Sequence, residues 1–290
     1  MLLRKYKTFR SLITHLKRLP ALETKVKELD KKTSPNGTSS NPSQIQSKVT
    51  TTPQTQTDYQ SWMNSAINGN PPKPGFWIYS SWGPETPYYS MVMDAARKAE
   101  FNYARELISD ATFKDIPGAI VEFGVFEGDW LEQLAEAQDL NSNHREIWGF
   151  DSFQGLPKTT EHDLDCWSEG QYAADYASVS KRLKCEQRPH IHLIKGWFSE
   201  SFKQPEVQSI EKIAFARVDC DLYEPAVECL EYLENRLVDG AILVFDDWTW
   251  NLDKGETKAF KEWVEKDCKL HFEFLCYNCN GHLYLRVSKQ

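Results

Sequence analysis

No stretch of this 290-residue chain approaches the about 18 uninterrupted apolar residues that a membrane span requires. Its N-terminus lacks the run of about 7–15 apolar residues and small-residue cleavage site of a secretory leader, so none is expected. Cysteine is sparse and odd in number, seven in all, in a chain too long to need disulfides for stability. Reduced thiols and a cytoplasmic setting are therefore expected. Neither G-x-x-x-x-G-K-[ST] nor G-x-G-x-x-G occurs, which removes the usual phosphate-loop and dinucleotide signatures. Positive charge is confined to one end. Residues 1–32 hold ten Lys and Arg against three Asp and Glu, whereas the rest nets −15, within −8 for the whole chain. An acidic body is a poor match to a nucleic-acid backbone, so no nucleic acid is expected as partner.

Aromatic residues are plentiful: 10 Trp, 12 Tyr and 15 Phe. With them the chain has material for a sizeable core. Residues 1–32 read as a basic amphipathic helical extension. Leu12, Leu19 and Val26 fall seven apart, Leu16, Leu22 and Leu29 lie near the same face, and Pro20 interrupts the pattern. Contact with a membrane surface or another protein, if the chain makes one, belongs to this arm. Residues 33–57, rich in Ser, Thr, Asn, Gln and Pro, read as a disordered linker. Residues 58–290 form the expected domain, and a homo-oligomer is expected.

From about residue 86 strands and helices alternate. Helices are expected at 87–111, 130–138, near 173–184, at 225–237 and at 257–266. Strands are expected at 119–123, 147–150, 191–194, 213–218 and 241–245, with a close pair at 272–276 and 283–287. This α/β order implies a seven-stranded, mostly parallel sheet with right-handed crossovers and an antiparallel terminal strand. Ligands bind such sheets at the carboxyl ends of the strands.

Polar residues gather at those ends. Glu122-Phe-Gly124-Val-Phe-Glu-Gly128 follows the first strand. The two glycines permit a tight turn close to a ligand, and Glu122 can accept from an amine or hydroxyl. Asp151-Ser152 ends the second strand, where a carboxylate suits a pair of ribose hydroxyls. Asp219 and Asp221 end the fourth strand, and Asp246 and Asp247 the fifth. Neighbouring strands lie about 4.8 Å apart. Carboxylates that close repel one another and need protons or a cation, and an all-oxygen site suits Mg²⁺.

The runs GAIVEFGVFEG, GFDSFQGLP, KGWF and ARVDCDLYEPAVECLEYLENRLVDGAILVFDDW, within residues 86–287, resemble the macrocin O-methyltransferase family. The resemblance implies a Rossmann-like class I methyltransferase domain. It also implies Mg²⁺-dependent transfer of a methyl group from S-adenosyl-L-methionine to a sugar hydroxyl of a natural product or glycan. Residue by residue it makes Asp219, Asp246 and Asp247 the metal ligands and Asp221 the general base. Glu122, Gly124, Gly128, Asp151, Ser152 and Trp197 then form the cofactor site. Two positions depart from the family pattern: Cys220, where Gly usually separates the acids, and Trp248, where Tyr commonly follows them.

Other signals are weaker. His271, Cys276, Cys279 and His282 have zinc-like spacing, but alternating strand residues point to opposite faces, so convergence is not expected. The long 156–176 connection reads as a lid, with His162 a minor candidate for a second base. Two rival readings stay open: a same-fold metal enzyme acting on a catechol-like diol, and a non-catalytic cofactor-binding scaffold.

Overall fold

The computed structural model describes residues 89–141, 145–249, 251–266, 268–277 and 281–289. The expected N-terminal helices and linker lie outside these residues. The chain enters with helix α1 (Tyr89–Ser109) and the short α2 (Ala111–Lys114). It continues through β1 (Ala119–Phe123), α3 (Asp129–Asn141), β2 (Ile147–Asp151), α4 (Tyr176–Leu183) and β3 (Ile191–Lys195). Short helices α5 (Phe198–Ser201) and α6 (Pro205–Gln208) lead to β4 (Ile213–Val218). Then follow α7 (Tyr223–Glu234), β5 (Leu237–Phe245), α8 (Gly255–Glu265), β6 (Leu270–Tyr277) and β7 (Leu283–Lys289).

The seven strands form one sheet in the order β3-β2-β1-β4-β5-β7-β6. Strands β1 to β5 pair in parallel, and β7 runs antiparallel to both β5 and β6. This is the Rossmann-like class I methyltransferase topology that the sequence predicts. The central strands are short, apolar and buried on both faces, as parallel strands covered by helices must be.

Strand parity divides the core. Val121, Phe123, Ala216, Val218, Leu243 and Phe245 pack on one face, with Cys229, Leu230 and Leu233 of α7 and Phe260 and Trp263 of α8. Ile120, Phe215, Ile242, Val244 and Tyr284 pack on the other, with Ala104 and Ile108 of α1 and Leu131 and Leu134 of α3. Helix α7 is shorter than its apolar pattern suggests. It stops at Glu234, and Leu237 enters β5 opposite Ile213, where the sheet buries its side chain completely.

The strand tips are laced together where the site forms. Gly124 N–H donates to Phe150 O (2.8 Å), Asp219 N–H to Phe123 O (2.8 Å) and Asp246 N–H to Val218 O (3.0 Å). Gly124 has φ +91°, and a Cβ there would overlap the carbonyl group of Asp219. Gly124→Ala should therefore cost more than the about 1–3 kcal/mol of a strained φ alone. Urea unfolding measures this, and a midpoint equal to wild type would show that the two tips can separate freely.

Candidate active site

The second face of the sheet carries a buried charge network, and register explains its position. Glu122 on β1 pairs with Arg217 on β4, which pairs with Val244 on β5, which pairs with Tyr284 on β7. Two residues on from Val244, Asp246 keeps the same parity, as does His282 two before Tyr284. Arg217 is 4% exposed. Its Nη1 donates to Glu122 Oε1 (2.6 Å) and Asp219 Oδ2 (2.5 Å), and its Nη2 donates to Asp246 Oδ1. The guanidinium carbon lies 4.7 Å from the centre of the Trp130 ring. Burial alone would lower the proton affinity of this guanidinium, but Asp219, Asp246 and Glu122 raise it well above its ordinary value.

The network runs on into α1. His282 Nε2 lies 3.0 Å from Asp246 Oδ1, and its Nδ1 bonds Glu100. The Tyr284 hydroxyl also donates to Glu100 Oε1 (3.0 Å). Burial opposes charge on His282, yet Asp246 and Glu100 overrule it and push its pKa well up. Burial also acts to raise Asp246, but Arg217 and then His282 hold its carboxyl well below the usual range.

A second group of acids sits beside this network. Carboxylate oxygens of Asp219, Asp221 and Asp247 all lie within 4.8 Å of one another. All three carboxyls are pushed up, first by burial; among the other causes are Asp247 for Asp221 and Asp246 for both Asp219 and Asp247. Asp221 has φ +62°, a conformation uncommon outside glycine. Beneath them Glu256, fully buried, accepts from the N–H groups of Cys220 (3.0 Å), Asp221 (3.2 Å) and Asp247 (3.3 Å). One side chain thus clasps both acid-bearing tips. Burial, then Asp247, pushes the Glu256 carboxyl up to about 8.

The first two strand tips make a separate cradle. Asp151 Oδ2 accepts from Val125 N–H (2.9 Å) and Phe126 N–H (2.8 Å), and its Oδ1 accepts from Phe153 N–H (2.6 Å). Three of about four carboxylate acceptor sites are used, leaving room for a hydroxyl. Gly128 has φ +84° and packs on Val179. Ser152 Oγ accepts from Gln154 N–H (3.0 Å) and donates to Gly155 O (3.1 Å), shaping the turn. Trp197 is half-buried at the N-terminus of α5. Glu122 is 1% exposed with its Oε2 unpartnered, and burial pushes its carboxyl up to about 7 against the pull of Arg217. Ser201, fully buried beside Gly196, also has an unpartnered hydroxyl. These polar atoms fit a ligand bearing an amine and a nucleoside, as S-adenosyl-L-methionine does. The three-carboxylate group fits a hard divalent cation.

The expected residues thus fall into two sets, Glu122, Gly124, Gly128, Asp151, Ser152 and Trp197 around β1 to β3, and the four aspartates around β4 and β5. Within the second set Asp246 turns one oxygen to Arg217 and His282, while Asp221 groups with Asp219 and Asp247. His162 lies on the acid side but is taken up by other partners, with its Nδ1 2.8 Å from Lys258 Nζ and its ring against Tyr223. His271 is exposed on β6, away from His282, and Cys279 and the Cys276 side chain lie outside the described residues. Glu100 and Glu256 gave no signal in the sequence, because neither lies in a motif and their partners are far away in the chain.

Comparison with known proteins bears on the family and the fold. The family profile described as Macrocin-O-methyltransferase (TylF) matches residues 37–268. The mycinamicin III 3''-O-methyltransferase of Micromonospora griseorubida is 25% identical over 161 residues, 51% of this chain and 61% of that protein. The 8-demethyl-8-(2,3-dimethoxy-alpha-L-rhamnosyl)-tetracenomycin-C 4'-O-methyltransferase of Streptomyces olivaceus is 28% identical over 145 residues, 46% of this chain and 54% of that protein. The chain thus spans little more than half the length of these relatives. The structure of the O-methyltransferase NovP superposes with a TM-score of 0.55 at 20% identity, covering 66% of this chain and 80% of that one. It supports the fold.

Removing Arg217 would strand the buried carboxylate of Glu122 and take a cation from the half-buried Asp219 and Asp246. Arg217→Met should destabilise the domain by about 3–5 kcal/mol, the usual cost of breaking a buried ion pair from one side. Chemical denaturation checks this, and a loss under about 1 kcal/mol would mean that solvent already screens the network.

Proposed function

Since the chain belongs to the macrocin O-methyltransferase family, we propose that it moves a methyl group from S-adenosyl-L-methionine to a sugar hydroxyl of a glycosylated natural product or glycan. The observation that carries this reading is the group of three carboxylates at the tips of β4 and β5, beside the glycine turn of β1. The names of the two relatives, one a 3''-O-methyltransferase and the other acting on a rhamnosyl compound, support a sugar hydroxyl as acceptor.

When bound, S-adenosyl-L-methionine supplies an electrophilic methyl group, and Mg²⁺ supplies a Lewis acid that makes a hydroxyl more acidic. The chain does the rest. Glu122, with a free buried oxygen, receives the amine of the cofactor. Gly124 and Gly128 let the main chain lie close to it, Asp151 and Ser152 shape the turns that flank it, and Trp197 borders the adenine. Asp219, Asp246 and Asp247 hold the cation, and Asp221 takes the proton that the acceptor hydroxyl gives up. Glu256 fixes the spacing of both acid-bearing tips, so that alignment is set before the acceptor arrives.

One observation favours a second assignment of the third ligand. Asp246 directs an oxygen at Arg217 and His282, whereas Asp221 lies with Asp219 and Asp247. Asp221 would then be a ligand and Asp246 a charge partner of Arg217.

Single-turnover rates across a Mg²⁺ titration separate the two. If Asp246 is a ligand and Asp221 the base, Asp246→Asn raises the Mg²⁺ requirement, while Asp221→Asn lowers the rate about 10²–10⁴-fold at unchanged Mg²⁺ affinity. The second assignment gives the reverse pattern for Mg²⁺. Full turnover in excess chelator would remove the cation from the function altogether.

Cofactor binding is tested by calorimetry, in which S-adenosylhomocysteine should bind the wild type and bind Asp151→Ala more weakly. Binding of NAD in its place would contradict the assignment. We also propose that residues 1–57 are dispensable for chemistry. A chain starting near Tyr59 should retain turnover, and its loss with intact cofactor binding would place the arm in the acceptor site.

A further inference from the structure

Two large hydrophobic side chains are exposed among the described residues, Leu140 and Phe126. Phe126 lies within the glycine turn that faces the cofactor cradle. Its φ is +48°, and its N–H is held by Asp151 Oδ2. The carboxylate fixes the main chain, so the ring is kept at the surface by a strained backbone.

A partner for this ring comes from the 156–176 connection. Tyr172, at φ +61°, meets Phe126 edge to face, with centres 5.5 Å apart and planes at 81°. Trp167 continues the row, 6.0 Å from Tyr172 at 65°. A left-handed conformation at a non-glycine residue costs about 1–3 kcal/mol and tends to persist where function needs it. Here two touching aromatic residues share it.

The loop that carries Tyr172 and Trp167 is closed on itself and pinned beside the acids. Its two arms are joined where Leu156 N–H donates to Gln171 O (2.7 Å) and Gly170 N–H to Leu156 O (2.9 Å). At the acid side, Tyr223 N–H donates to buried Asp163 (2.7 Å) and Gly255 N–H to His162 O (2.8 Å). Tyr223 lies two residues beyond Asp221, so the loop that bears the aromatic row is held beside the acids, while Phe126 ties the row to the cofactor turn. Consistent with this, burial first, and then Asp221, Asp247 and Asp219, push the Tyr172 phenol up.

We propose that Phe126, Trp167 and Tyr172 form the acceptor platform, on which the C–H face of a pyranose ring stacks while its hydroxyls turn towards Asp219, Asp221 and Asp247. A sugar ring suits such a site because one face presents polarised C–H groups, which the negative faces of aromatic rings attract. The class of acceptor rests on the reading under Proposed function; the choice of residues rests on the aromatic row itself.

Saturation-transfer NMR on the full chain, with S-adenosylhomocysteine and Mg²⁺ present, tests both. The probes are methyl α-L-rhamnopyranoside and 3,4-dihydroxybenzoate. The wild type should saturate the ring C–H protons of the rhamnoside. Phe126→Ala and Tyr172→Ala should each weaken its binding about threefold to tenfold, in line with the usual worth of an aromatic contact. Tyr172→Phe should restore most of the affinity, and S-adenosylhomocysteine binding should stay within about twofold in the Tyr172 variants. If an alanine variant fails to hold S-adenosylhomocysteine, the leucine variant at the same position, Phe126→Leu or Tyr172→Leu, which keeps bulk without a π face, takes its place. Rhamnoside affinity equal to wild type in these variants would overturn the platform and leave the sugar reading standing. Dihydroxybenzoate bound by the wild type in place of the rhamnoside would overturn the sugar reading and this occupant together.

Discussion

Arg217 is the group on which the rest of the site depends. A guanidinium buried without partners is prohibitively costly, so the fold must bring carboxylates to it. Glu122 arrives from β1, Asp219 from the end of its own strand and Asp246 from the end of β5. Trp130 of α3 closes one face of the cation. Through Asp246 the same charge reaches His282 and Glu100, and so couples β7 and α1 to the central strands. A geometry fixed in this way is expensive to disturb, which suits a site whose work is alignment.

The charges nevertheless do not cancel. Arg217 and His282 face Glu100, Glu122, Asp219 and Asp246, whereas Asp221 and Asp247 crowd against Asp219, and burial raises all three carboxyls. That residual negative charge is what a hard cation would relieve. Backbone strain is concentrated in the same region. Of the five described non-glycine residues with positive φ, Phe126, Phe153, Tyr172 and Asp221 border the cradle or the acids, and Lys184 caps α4. At three of them a carboxylate holds the main chain: Asp151 accepts from Phe126 and Phe153 N–H, and Glu256 from Asp221 N–H.

Much of this was legible in the sequence because it is local. The apolar runs at 119–123 and 213–218 coincide with β1 and β4, since short buried parallel strands announce themselves by composition. The carboxylates were legible because they follow those runs directly. The length of α7 was misread because an apolar residue at helical spacing, Leu237, serves equally well in a strand. Long-range partners left no trace. His282 and Glu100 are 182 positions apart, and Glu256 lies 36 from Cys220. Spacing grouped His282 with neighbouring cysteines, whereas folding gives it to two carboxylates. The turn of one Asp246 oxygen towards Arg217 and His282 has the same origin: strand position places Asp221 and Asp246 alike at the tips, and His282, just before the last strand, is distant from both in the chain.

The central claim is that unbalanced carboxylates at the tips of β4 and β5 make a cation site, while Arg217 and His282 already neutralise the neighbouring network. Anomalous diffraction from crystals of the full chain soaked in Mn²⁺, a hard stand-in for Mg²⁺, tests this most directly. The account predicts a single strong peak within coordination distance of Asp219 and Asp247, with Asp221 or Asp246 completing the protein ligands. No peak there, or one seated between Glu100, Asp246 and His282, would contradict it.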